Sequence, residues 1–211
     1  MSEIDPMDQG QEAQPWSIDR VGVVGMGLIG GSIALDLSQQ GVEVQGLVHR
    51  EVTAERARSR GLAPLVSTDP SCLQNCDLVI LALPLESLLS PQESLIKALP
   101  ERAVVTDVGS VKAEVLAVWR DLHPRFVGSH PMAGTAQAGV DAGLQGLFCG
   151  RPWVSTPESS TDASALAVIQ QLAARLGSHW LIADAARHDQ AVALISHLPV
   201  IVSAALLRAV G

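Results

Sequence analysis

Four side chains in this 211-residue sequence stand out for proton chemistry: Ser110, His130, His188 and His197. A histidine near its ordinary pKa of about 6.5 can take a proton from a hydroxyl at neutral pH, and a serine beside it can donate or accept a hydrogen bond. Ser110 and His130 each follow an apolar run, where a strand delivers residues to the end of a sheet. Plainer readings stand beside these. Ser110 also suits the N-cap of the helix after it, although Glu114 is one residue too far on for a capping box. His130 also reads as a turn histidine before Pro131. His197 precedes Pro199 by two residues, and that proline leaves the Ile195 carbonyl without its helical partner. A kink there can let His197 line a pocket; a satisfied core histidine is the alternative. His188 lies nine residues before His197, near the opposite face at about 100° per residue, and reads as structural. Neither the histidines nor Cys72, Cys76 and Cys149 have metal-ligand spacing, so no metal is expected and the cysteines read as free thiols.

The element that gives this chemistry a partner runs from Val21 to Gly30. An apolar β-branched run enters Gly25-Met26-Gly27-Leu28-Ile29-Gly30, and a helical pattern follows with Ile33, Ala34 and Leu37. Gly25 permits the tight turn, Gly27 lets a pyrophosphate approach the backbone, and Gly30 lets the helix pack on the strand. The first helical N–H groups, about Leu28 and Ile29, offer an anion site at the positive end of the helix dipole. A structural glycine turn is the bland alternative. Beside a nicotinamide, a histidine that takes the hydroxyl proton while hydride leaves the same carbon performs an alcohol oxidation. An NAD enzyme usually has Asp or Glu at the second strand's tip. Here His49 and Arg50 stand there and suit the 2′-phosphate of NADP; solvated loop cations are the other reading. The turn after the fourth strand, Leu83-Pro84, belongs to the same crevice, because ligands of open parallel sheets lie outside the carboxyl ends of the strands.

The supporting pattern is strands at Arg20–Val24, Val42–Val48, Ala63–Val66, Asp77–Leu83 and Ala103–Thr106, with helices between. Further strands begin at Phe126, running on to Thr135, at Trp153–Ser155 and at His179–Ile182. Helices cover Thr53–Arg60, Asp69–Asn75, Leu85–Leu99 with a break near Pro91, Ala113–Arg120 and Asp162–Leu176. Apolar runs bounded by polar residues suit parallel strands buried on both faces. The fold class is α/β: a doubly wound, mostly parallel Rossmann sheet over 19–183. An acidic disordered tail precedes it over 1–18, and a long helix follows over 184–211. That last segment is apolar on nearly every face from Ala191 to Val210 and needs cover from a following domain or a partner subunit, so the sequence reads as a fragment. His197, Pro199 and Arg208 argue against a membrane span. A formal net charge of −8 without a basic stripe argues against nucleic acid, and the reduced cysteines suit a cytoplasmic protein.

Val21–Ile33, Asp107–Lys112, His130–Thr135 and Asp189–Leu206 together resemble the prephenate/arogenate dehydrogenases, most closely the cyanobacterial and plant-like arogenate type. The motifs that carry the resemblance are Asp-Val-Gly-Ser-Val-Lys, Ser-His-Pro-Met-Ala-Gly-Thr and Ile-Ser-His-Leu-Pro-Val. The resemblance implies an NADP-dependent oxidative decarboxylation of arogenate to tyrosine, with His130 at the ring hydroxyl and Ser110 as its helper. His197, and less strongly Thr135, would line the substrate pocket. It also implies an all-α C-terminal domain that dimerises and carries an arginine for the substrate carboxylate beyond Gly211. The alternatives are a prephenate dehydrogenase using NAD or NADP, another reductase with a Rossmann and a helical domain, and a nucleotide-binding fragment without turnover.

Overall fold

The computed structural model describes Trp16 and residues 18–210, so the expected acidic tail lies almost wholly outside the described residues. Six strands form a parallel sheet: β1 (Arg20–Val24), β2 (Glu43–Leu47), β3 (Leu65–Ser67), β4 (Leu78–Leu81), β5 (Val104–Asp107) and β6 (Phe126–Val127). Their order is β3-β2-β1-β4-β5-β6, with every pairing parallel. That is the doubly wound dinucleotide-binding order. The helices between are α1 (Leu28–Gln39), α2 (Glu51–Ser59), α3 (Leu85–Leu89), α4 (Glu93–Ala98) and α5 (Ala113–Trp119).

Alternate residues of a strand face opposite sides, and each side has its own core. Val21, Val23, Leu78, Ile80 and Val104 pack with Ile33 and Leu37 of α1 and with Ile169 and Leu172 of α6 (Ala163–Arg175). Val24, Val79, Leu81 and Val105 pack on the other side with Leu88 of α3 and Val115, Leu116 and Trp119 of α5. All four residues of β4 are buried, which is why its sequence is uninterrupted Leu-Val-Ile-Leu.

Two features differ from the sequence reading. The strand expected from Phe126 onward stops at Val127. Gly128 is packed so tightly that a Cβ would sit 2.9 Å from Thr156 Oγ1 and 3.2 Å from Leu116 Cδ2. Beyond it the chain joins a second sheet, β7 (Ser129–Pro131), β8 (Pro152–Ser155) and β9 (His179–Ile182), with β7 antiparallel to β8 and β9 parallel to it. The segment from Leu85 to Leu99 is two helices, α3 and α4, parted around Pro91 where the sequence places a break, since proline can donate no N–H. The short helix at Asp69 is a 3₁₀ turn, Pro70–Leu73, whose cap is the Asp69 carboxylate accepting from Ser71 N–H at 2.9 Å. Cys76, buried just before β4, has its thiol pushed up to about 12 by burial.

After β9, the Asp184 carboxylate accepts from the Arg187 N–H at 3.0 Å and starts α7 (Ala185–Val192). The helix passes through a π turn at Ala193–His197 into α8 (Leu198–Val210). The turn falls where Pro199 removes a backbone donor from the helical ladder. Leu198, Val200, Ile201, Leu206 and Leu207 of α8 are exposed. By length and composition the helix Ala185–Arg208 could cross a membrane, and an apolar helix that a neighbouring domain or subunit covers meets the same description.

Candidate active site

The three glycines of the first turn answer three different steric demands. Gly25 has φ of +92°, and a Cβ there would lie 2.3 Å from the Ala82 carbonyl oxygen of β4's exit. A Cβ on Gly30 would lie 1.9 Å from the Gly25 carbonyl oxygen and 2.8 Å from Ala82 Cβ, so α1 closes on the turn only with glycine there. Gly27, the N-cap of α1, would meet nothing within 4 Å. Its missing side chain leaves open space at the mouth of the helix, with no side-chain cap on the first N–H groups. This is the cradle a pyrophosphate needs.

The cradle opens into a cleft of ≈ 710 Å³ lined among others by Gly25, Gly27, His49, Arg50, Leu83 and Pro84. Leu28 and Ile29 do not line it with their side chains, so what they can offer there is backbone N–H alone. His49 and Arg50 are exposed at the tip of β2. The nearest following carboxylate, Glu51, is turned to Arg58 at 2.7 Å. The residues present thus fit a dinucleotide at this end of the sheet.

His130 lies on β7, paired with Val154 of β8 and half-buried. The start of that strand is tied to the end of β5. The Lys112 ammonium donates to the Ser129 carbonyl at 2.9 Å and to the Asp107 carboxylate. Asp107 also accepts from the N–H groups of Gly109 (2.8 Å) and Ser129 (3.3 Å). Thr106 and Ser129 hydroxyls meet at 2.9 Å. Lys112 and Asp107 are fully buried as side chains, and burial pulls the acid up and the amine down while each opposes that pull on the other.

The structure brings His188, read from the sequence as structural, against His130. Its Nε2 lies 2.9 Å from Nδ1 of His130, with the rings nearly perpendicular, and its Nδ1 lies 2.8 Å from Asp189 Oδ1. Helical periodicity within α7 carries no trace of this contact, because the partner comes from β7, 58 residues away in the chain. Asp189 is likewise a residue the sequence does not single out. It accepts from the N–H groups of Lys112 at 2.8 Å and Ala113 at 2.9 Å, and so caps α5 from another element. The signal available was the Asp184 cap, which starts α7 and so fixes the helical phase at which His188 is buried. Ser110 is exposed on the loop between β5 and α5 and does not cap α5; the cap residue is Lys112, with no side-chain bond of its own. Thr135 is exposed, its hydroxyl accepting from the Gln137 N–H at 3.2 Å. The side chain of His197 lies outside the described residues. Among those residues no metal-binding cluster occurs.

A parallel sheet in this order, a glycine cradle at its first turn and a histidine at the strand ends define an NAD(P)-dependent dehydrogenase. The chain belongs to the prephenate dehydrogenase family. The family model for the prephenate dehydrogenase nucleotide-binding domain matches residues 33–182, and that for the dimerization domain matches 184–211. The cyclohexadienyl dehydrogenase of Zymomonas mobilis is 32% identical over 90% of this chain and 67% of its own length. The crystal structure of Synechocystis arogenate dehydrogenase is 42% identical, with a TM-score of 0.83 over 90% of this chain and 68% of that one. The prephenate dehydrogenase of A. aeolicus, solved with hydroxyphenyl propionate and NAD+, is 29% identical with a TM-score of 0.86, covering 93% of this chain and 70% of that one. Other curated relatives are spanned for only about half their length.

Proposed function

We propose that the full-length protein oxidatively decarboxylates arogenate to tyrosine, preferring NADP, in the cytoplasm. The single observation that carries the chemistry is His130, held on β7 by His188 at the same end of the fold as the glycine cradle. Its likeness to the Synechocystis arogenate dehydrogenase supports the substrate. The exposed His49 and Arg50, with Glu51 committed to Arg58, support the 2′-phosphate.

Gly25, Gly27 and Gly30, with the N–H groups of Leu28 and Ile29, would hold the dinucleotide's phosphates, and Leu83 and Pro84 would flank it. The nicotinamide, when bound, supplies the acceptor for hydride. His130 takes the proton of the ring hydroxyl as hydride leaves the same carbon, and Ser110 holds that hydroxyl in line. The carboxylate on the opposite ring carbon departs as carbon dioxide, and its bonding electrons complete the aromatic ring. Aromatisation supplies driving force, so the protein's task is alignment, deprotonation and exclusion of water. His197 and Thr135 are proposed to line the substrate pocket. The exposed apolar face of α8 supports a homodimer formed through the helical region.

A prephenate dehydrogenase using NAD is the second reading, favoured by the A. aeolicus complex with NAD+. Steady-state assay of arogenate and prephenate with both cofactors separates the two. His130→Asn should lower kcat about 100-fold or more while leaving cofactor affinity unchanged, and wild-type turnover in that variant would remove the base. Arg50→Ala should weaken NADP and spare NAD; equal loss for both would count against the 2′-phosphate contact.

A further inference from the structure

We infer that His188 and Asp189 are positioning residues that set which nitrogen of His130 is basic. The inference deepens the reading of His130 as the base and rests on it.

Asp189 is more exposed than His188, and burial alone would raise its pKa. The N–H groups of Ala113 and Lys112 and the ring of His188 outweigh that and hold the carboxyl below its ordinary range. Asp189 is therefore ionised at neutral pH and can only accept. His188 Nδ1, at 2.8 Å from it, must then carry hydrogen and donate. In a neutral imidazole the other nitrogen is an acceptor, so His188 Nε2 receives a hydrogen bond across the 2.9 Å gap to His130 Nδ1. His130 thus carries its hydrogen on Nδ1, and its lone pair is on Nε2. The order Asp189, His188, His130 selects the Nδ1–H tautomer of the base.

The same chain also handles charge. When His130 Nε2 gains the hydroxyl proton, its Nδ1 proton can pass to His188 Nε2. The positive charge then stands on His188, next to the Asp189 carboxylate, and His130 is neutral again. No group is oxidised or reduced, and one proton moves along existing hydrogen bonds. Among the described residues, Lys112 and Asp107 of the β5–α5 connection also stand beside this chain, and they are paired with each other. Asp189 caps α5 with both oxygens as well. The relay is thereby anchored to the loop that carries Ser110, so the base and its helper share one support.

The first measurement needs no variant. Imidazole ¹⁵N NMR of the full-length protein at neutral pH should show His130 and His188 both protonated on Nδ1. A proton on Nε2 of His130 would overturn the relay while leaving the base open to test by His130→Asn. The second uses Asp189→Asn, whose amide can donate to His188 Nδ1 and reverse both tautomers. It should cut kcat about 100-fold or more with cofactor affinity by calorimetry within about twofold, the pattern of a triad whose orienting acid is lost. Asp189→Glu, which restores an ionised acceptor, should recover part of the rate and return the Nδ1 tautomer. A merely structural role predicts equal loss in both variants with His130 unchanged in tautomer, and that result would overturn the inference.

Discussion

At the residue scale the buried Lys112–Asp107 pair ties the end of β5 to the start of β7. Two charges out of water are expensive to bury, and removing one partner leaves the other uncompensated. Lys112→Met should destabilise the fold by ~3–5 kcal/mol, read as a shift in the urea midpoint. Adding Asp107→Leu should recover only part, because Asp107 also accepts from the N–H groups of Gly109 and Ser129. Full recovery would mean that the ion pair has no role in holding β7 to β5. Both residues stood in the sequence as part of a strand-end motif, with no sign that their side chains would meet. An ion pair five residues apart across a turn has no periodicity to betray it.

At the scale of elements, the glycine turn separates folding from binding. Gly25→Ala meets a positive φ and a backbone carbonyl at 2.3 Å, so it should cost of order 1–3 kcal/mol for the conformation alone, with the clash in addition. Gly27→Ala adds a methyl group to open space and should change stability by less than about 0.5 kcal/mol. It should nevertheless weaken NADP about tenfold or more, since the methyl occupies the phosphate's approach. Thermal melts with and without NADP check both, and equal affinity in Gly27→Ala would argue against phosphate contact at that turn. This element was legible in sequence because each glycine does a local job at a fixed spacing. The buried β4 was legible for a similar reason, as an apolar run with polar ends. The parting of β6 from β7 at Gly128 was not, since it depends on Thr156 and Leu116 approaching from elsewhere. The His130–His188 contact was hidden for the same reason: helical geometry within α7 says nothing of what β7 brings to it.

At the scale of the whole molecule, acid should loosen the fold partly through its caps. Asp162 accepts from the Ser164 hydroxyl and the Ala165 N–H at the start of α6, and these bonds hold its carboxyl below the ordinary range. A native pKa below the unfolded one gives stability that is present above about pH 4 and is lost as pH falls through the lowered value. Asn is nearly as good an N-cap as Asp but does not titrate. The urea midpoint of Asp162→Asn should therefore lie below wild type at pH 6, and the gap should close toward pH 3. A gap independent of pH would show that the charge of Asp162 contributes nothing.

The strand order has one further consequence. The two outermost members of the large sheet, β3 and β6, are also its shortest, at three and two residues. A sheet's margin is where unpaired N–H and C=O groups can recruit a foreign strand, and so little margin leaves little to recruit. The chain can therefore present the long greasy face of α8 to a chosen neighbour without its main sheet also inviting indiscriminate stacking.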